Sequence, residues 1–107
     1  MSEESFREAQ VDEVKRLLDE GYELIDVRDD WEWDRGHLPG ARHIPLTEIL
    51  ANPAGQKFSD RTVFQCAVGN RSAVASEMAV ALGAKDVINF RGGFDAWKEA
   101  GLPVEKP

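Results

Sequence analysis

Three short apolar runs constrain this chain more than any other feature: "YELIDV" at residues 22–27, "RTVFQC" at 61–66 and "DVINF" at 86–90. Each is rich in β-branched or aromatic residues and largely lacks polar alternation, the pattern of a strand buried on both faces. Each is followed by a turn and then by a stretch with helical features. Strands of this kind, separated by short helices, pair in parallel, so the expected fold is α/β with a central parallel sheet covered by helices on both faces.

The intervening segments supply the helices. Val11, Val14, Leu17 and Leu18 recur at helical spacing and predict a helix over residues 10–20, stopped by Gly21. "RDDWEWDRGHLPGARHIP" holds two Gly and two Pro, which predicts a short helical turn from Asp29 to Asp34, a loop, and a brief strand from Arg42 to Ile44. "LTEILAN" suits a small helix and "PAGQKFSD" a surface turn. A longer helix is expected from Ser72 to Leu82, with Val74, Met78, Ala81 and Leu82 marking its apolar face, alanines allowing close packing, and Gly83 ending it. The last helix runs from Phe94 to Ala100 and is closed by Gly101 and Pro103. With no repeat or low-complexity tract, residues 1–107 read as one domain whose core spans residues 10–105.

Charge narrows the function. A formal charge of −7 and a pI near 4.8 repel polyanions, so nucleic acid is not an expected partner. "MSEESFREAQ" has neither a basic n-region nor an apolar h-region, and no later segment is long and uncharged enough to span a bilayer; no membrane is expected, and the chain reads as cytoplasmic. Cys66 is the only cysteine and has only His37 and His43 as further soft ligands, so neither an internal disulfide nor a metal site is expected. A lone cysteine is most often a buried small hydrophobe.

Position changes that default. Ligands of parallel sheets bind beyond the carboxyl ends of the strands, and Cys66 ends one strand directly before a loop and a helix. Gly69 and Asn70 tolerate positive φ, so Ala67, Val68, Gly69, Asn70, Arg71 and Ser72 can curl with backbone N–H groups inward as an anion cradle. The helix N-terminus adds its orphan N–H groups and positive dipole end, which favour a thiolate. Arg71 is either a cation facing substrate or half of a salt bridge that holds the loop. Cysteine-dependent phosphatases resemble this arrangement, but their loop is longer by a residue. Only Ala67, Val68, Gly69 and Asn70 separate Cys66 from Arg71, a smaller bowl that suits one extra sulfur on the cysteine better than a phosphate.

At these residues the chain resembles the rhodanese family in its small single-domain form. "LIDVRDDWEWDRGHLPGARHIP" at 24–45, "CAVGNRS" at 66–72 and "GGFDAWKEAGLPV" at 92–104 are similar to family signatures and occur in the expected order. The resemblance implies the rhodanese-like fold, with a parallel sheet of about five strands and Phe6 to Glu8 supplying a short first strand. It implies sulfur transfer: Cys66 takes a sulfane sulfur from a small donor such as thiosulfate, a persulfide or a polysulfide, and yields it to a thiol or cyanide. The N–H groups of Ala67 through Ser72 stabilise the anionic sulfur, no cofactor is needed, and a sulfur-relay protein is a further candidate partner. Nothing demands more than a monomer.

One departure stands out: many members carry a basic residue just after the cysteine, where this chain has Ala67 and then Val68. A less cationic mouth is expected, and a persulfide or polysulfide is the better expected donor. Asp26, Arg28 and Glu32 follow the first run and are candidates to support the loop through ion pairs. His37 and His43 read as structural. Trp31 and Trp33, at i and i+2, cannot share a helix face, so one is expected to be partly exposed. The glycines of "RGG" at 91–93 are explained by a tight turn, although they could bring a second loop near the site. The other readings are a sulfur-carrier or docking module with little turnover, and a phosphatase or arsenate reductase, which the loop length disfavours.

Overall fold

Each apolar run forms a strand whose alternate side chains enter two cores, one on each face of a single sheet. The computed structural model describes residues 5–107. In chain order the elements are β1 (Arg7–Ala9), α1 (Val11–Asp19), β2 (Glu23–Asp26), α2 (Asp30–Asp34), β3 (Arg42–His43), α3 (Leu46–Ala51), a 3-10 turn (Pro53–Gly55), β4 (Thr62–Gln65), α4 (Asn70–Ala81), β5 (Val87–Phe90) and α5 (Gly93–Glu99). All five strands are parallel, in the order β1-β5-β4-β2-β3. Among the described residues no helix is long and apolar enough to cross a membrane.

Alternation in β2 and β4 shows how the sheet is shared. Leu24 and Val63 join Val14, Leu17, Phe90, Phe94 and Trp97 beneath α1 and α5. Ile25, Phe64 and Cys66 join Ile49, Ala75, Ala79 and Val87 beneath α3 and α4. Leu24, Ile25, Val63 and Phe64 are all 3% exposed or less, so neither face of the central strands meets water.

Three expectations need correction. The buried face of α4 is Ser72, Ala75, Ser76 and Ala79, whereas Val74 and Leu82, expected inside, are 39% and 45% exposed. Apolar size misled the reading: small side chains let this helix lie close on β4 and β5, and the Ser76 hydroxyl satisfies itself on the Ser72 carbonyl at 2.8 Å. α4 also begins at Asn70, two residues earlier than expected, because Gly69 takes φ +114° and turns the chain into the helix at once. β1 lies one residue later than the resemblance implied; two of its three residues are exposed, so it carries little apolar signal.

Candidate active site

The strand order places the site. β2 leads outward to β3 and β4 leads the other way to β5, so their carboxyl ends open a crevice at the point where the winding reverses. The segment after Asp26 and the loop after Gln65 enter that crevice together.

Cys66 lies at its floor, 1% exposed. Its Sγ accepts the Gly69 N–H at 3.1 Å and the Ser72 N–H at 3.4 Å, and lies 3.4 Å from the Ser72 hydroxyl. Burial pushes the thiol up; against it act the contact with the Ser72 side chain and the N–H groups of Ser72, Gly69 and Val68, and the balance leaves Cys66 below the ordinary thiol value. Of the cradle expected from the sequence, Gly69 and Ser72 bond the sulfur directly, Val68 acts through its N–H, and Asn70 and Arg71 form the first turn of α4.

Arg71 makes a two-pronged ion pair with Glu32, at 2.7 and 3.0 Å. The same Glu32 oxygen that meets Nη1 also accepts the Asp29 N–H at 2.9 Å, so one carboxylate ties the α2 N-terminus to the cysteine loop. The bond from Arg71 does most to hold the Glu32 carboxyl below the usual carboxylate range, with burial opposing it. Asp26 and Arg28 form a second, fully buried pair: Arg28 Nη2 meets Asp26 Oδ2 at 2.8 Å and the Gly36 carbonyl at 2.7 Å. The Arg28 guanidinium also lies 4.2 Å from the centre of the Phe94 ring, joining this segment to α5.

The glycines of "RGG" do more than turn the chain. Phe94 N–H donates to the Cys66 carbonyl at 2.8 Å, Asp95 N–H to Ala67 at 3.0 Å, and Gly92 N–H to Val68 at 3.1 Å. These bonds draw three loop carbonyls toward α5 and leave the opposite side of the loop to N–H groups facing sulfur. A Cβ on Gly93 would fall 2.1 Å from the Cys66 carbonyl oxygen, so backbone meets backbone there. A tight turn alone therefore does not account for them.

His37 and His43 are held by backbone carbonyls, at 3.0 Å from Leu38 and 2.8 Å from Arg28, and both stack on Trp33. Trp31 is the exposed tryptophan, at 59%. It helps line a groove of about 240 Å³ with Arg28, Glu32, Arg35, Ala67, Phe94 and Lys98. Cations thus reach the mouth from α5 and from the residue that caps α2, although the loop itself carries none beside Cys66. A larger groove of about 370 Å³, lined by residues such as Leu18, Pro39 and Trp97, contains none of these groups.

Asn89 was missed by the sequence reading. Buried in β5, it accepts the Ser72 hydroxyl and donates to the Gly69 carbonyl and to Glu8. A lone amide within the apolar run "DVINF" was the available signal, since a buried amide requires partners.

Comparison with known proteins agrees with this architecture. The profile of the Rhodanese-like domain matches residues 10–100. Thiosulfate sulfurtransferase 18 of Arabidopsis thaliana is 32% identical over 88% of this chain and 79% of its own length. An uncharacterised Synechocystis protein, slr1261, is 35% identical over 78% of the chain, which spans only 46% of that longer relative. The crystal structure of a rhodanese-related protein from Thermoplasma volcanium superposes with a TM-score of 0.81 at 28% identity, covering 94% of this chain and 99% of that one. A parallel five-stranded sheet, the crevice between β2 and β4 and a match over most of the sequence converge: the chain belongs to the rhodanese-like domain family.

Proposed function

We propose that this domain is a sulfurtransferase that carries sulfane sulfur on Cys66. The observation that supports it best is a buried thiol receiving two backbone N–H groups inside a bowl of four residues between Cys66 and Arg71. The Cys66 thiolate attacks the outer sulfur of thiosulfate; the S–S bond breaks and sulfite leaves with the electron pair. The persulfide Cys66–S–S⁻ then gives its terminal sulfur to cyanide or a thiolate, and the Cys66 thiolate returns as leaving group. The N–H groups of Ala67, Val68, Gly69, Asn70, Arg71 and Ser72 stabilise the anionic sulfur as it forms. Arg71 acts through Glu32 as a brace, and Asp26 with Arg28 holds the facing segment. A thiol this buried meets a donor end-on, which suits a terminal sulfur better than a branched phosphate.

Donor choice falls to the mouth. Ala67 and Val68 offer no charge, so an organic persulfide or polysulfide is preferred to thiosulfate, while Arg35 and Lys98 retain some attraction for anions. Ala67→Arg should raise kcat/KM on thiosulfate; no gain overturns this preference. The alternative, a carrier or docking module, predicts loading without turnover. Intact-protein mass spectrometry after thiosulfate or polysulfide, beside Cys66→Ser, tests the main reading. Wild type should gain one sulfur on Cys66 and lose it to cyanide; a chain that never gains it is no sulfurtransferase.

A further inference from the structure

Asn89 lies 1% exposed in β5, behind the cysteine loop. Its Nδ2 is 3.1 Å from the Gly69 carbonyl and 3.1 Å from Glu8 Oε2. Both partners only accept, so the amide has one sensible orientation: Nδ2 faces them and Oδ1 faces Ser72. Ser72 Oγ stands 2.5 Å from that oxygen. An amide oxygen cannot donate, so this contact takes the only proton of the Ser72 hydroxyl. Toward Cys66 Sγ, 3.4 Å away, Ser72 then presents a lone pair.

The consequence differs between the states of the sulfur. A thiol donates its S–H to Ser72 Oγ and every group is satisfied. A thiolate has no hydroxyl proton to accept unless Ser72 turns, which leaves Asn89 Oδ1 buried without a donor. A persulfide carries its charge on the outer sulfur, so Sγ no longer needs the hydroxyl and the Ser72–Asn89 bond persists. We propose that Asn89 is a positioning residue that withholds the Ser72 hydroxyl from Sγ, leaving the empty thiolate more nucleophilic than it would be with that bond and favouring the sulfur-loaded state. The inference rests on Cys66 being the working thiol proposed above. The other charges near the sulfur are Arg71, which feels its charge and is paired with Glu32, and Glu8, which reaches it only through Asn89 and also faces Arg91. α5 contributes backbone N–H groups to the loop carbonyls.

The sign of the effect separates this role from a structural one. Asn89→Leu frees the Ser72 proton for sulfur and should increase the thiolate fraction below the midpoint roughly three- to tenfold. Loss of the tie to Gly69 would loosen the loop and act the other way. The measurement is the pH profile of Cys66 alkylation by iodoacetamide in wild type, Asn89→Leu, Ser72→Ala and the double variant. A lowered midpoint in Asn89→Leu that disappears in the Ser72→Ala background supports the proposal. A raised or unmoved midpoint, or an equal shift without the hydroxyl, overturns it. If Asn89→Leu fails to fold, Ser72→Ala decides alone: a midpoint that moves less than about threefold in thiolate fraction supports the withheld hydroxyl, and a larger rise overturns it. Alkylation needs no sulfur donor, so failure of sulfur loading on Cys66 would sink the sulfurtransferase reading while leaving this result standing.

Discussion

Glu32 is the residue on which two segments depend, and its titration can be followed. Arg71 holds its carboxyl below the usual carboxylate range, so the folded value lies below the unfolded one. The stabilisation is therefore present above the unfolded carboxylate value and is lost as pH falls through the folded one. Glu32→Gln should cost on the order of 1 kcal/mol at pH 7 and progressively less below about pH 4. Urea unfolding of both proteins at neutral and acid pH checks this, and an equal gap at both would exclude the pair as its source. The pairing was only half legible in the sequence, where Glu32 is one of three candidates to support the loop and Arg71 reads equally as a substrate cation or a brace. The two residues are 39 positions apart and meet only because β2 and β4 are neighbours. Cys66 was legible because its signal is local: a strand end, a loop that turns at Gly69 and a helix start follow one another in the chain.

At the scale of elements, α5 shapes the cysteine loop from outside. Gly93 sits at φ +55° with its missing Cβ directed at the Cys66 carbonyl, whereas Gly101, at φ +77°, has nothing within 4 Å. Gly101→Ala should therefore cost only the left-handed penalty, about 1–2 kcal/mol. Gly93→Ala should cost more than about 3 kcal/mol and raise the Cys66 alkylation midpoint, because the loop must retreat from α5. Thermal unfolding and the alkylation profile read the two effects, and equal losses in both variants would refute the backbone contact. α4 supplies a second comparison. Ala79→Leu should overpack the face against the sheet by about 1–3 kcal/mol, while Leu82→Ala, at an exposed position, should change stability by under about 1 kcal/mol; the reverse order in denaturant midpoints would restore the face expected from the sequence. That expectation failed because it ranked residues by apolar size, and a helix packed close to a sheet selects small ones. Helix existence was legible from apolar spacing and terminating glycines; the face was not.

Over the whole molecule, the alternation of apolar runs with helices was enough for a parallel sheet, but not for its strand count. The brief β3 was expected from the residues, but β1 has two exposed residues of three, so the five-stranded expectation came from resemblance to a family. Charge also acts at this scale. The chain carries −7 overall, while the groove at the crevice is lined by three cations, Arg28, Arg35 and Lys98, and two acids, Glu32 and Asp95. An anion approaching Cys66 is thus repelled from afar and weakly attracted close in. Salt screens the distant charges first, since the Debye length shrinks to about 10 Å at 0.1 M. The rate of Cys66 alkylation by anionic iodoacetate, divided by that for neutral iodoacetamide, should therefore rise about two- to threefold as salt increases from low to physiological ionic strength. Lys98→Gln should lower this ratio at every salt concentration without removing the rise. A ratio that falls with salt would mean that the local cations dominate the approach, and the acidic surface would then have no part in selecting the donor.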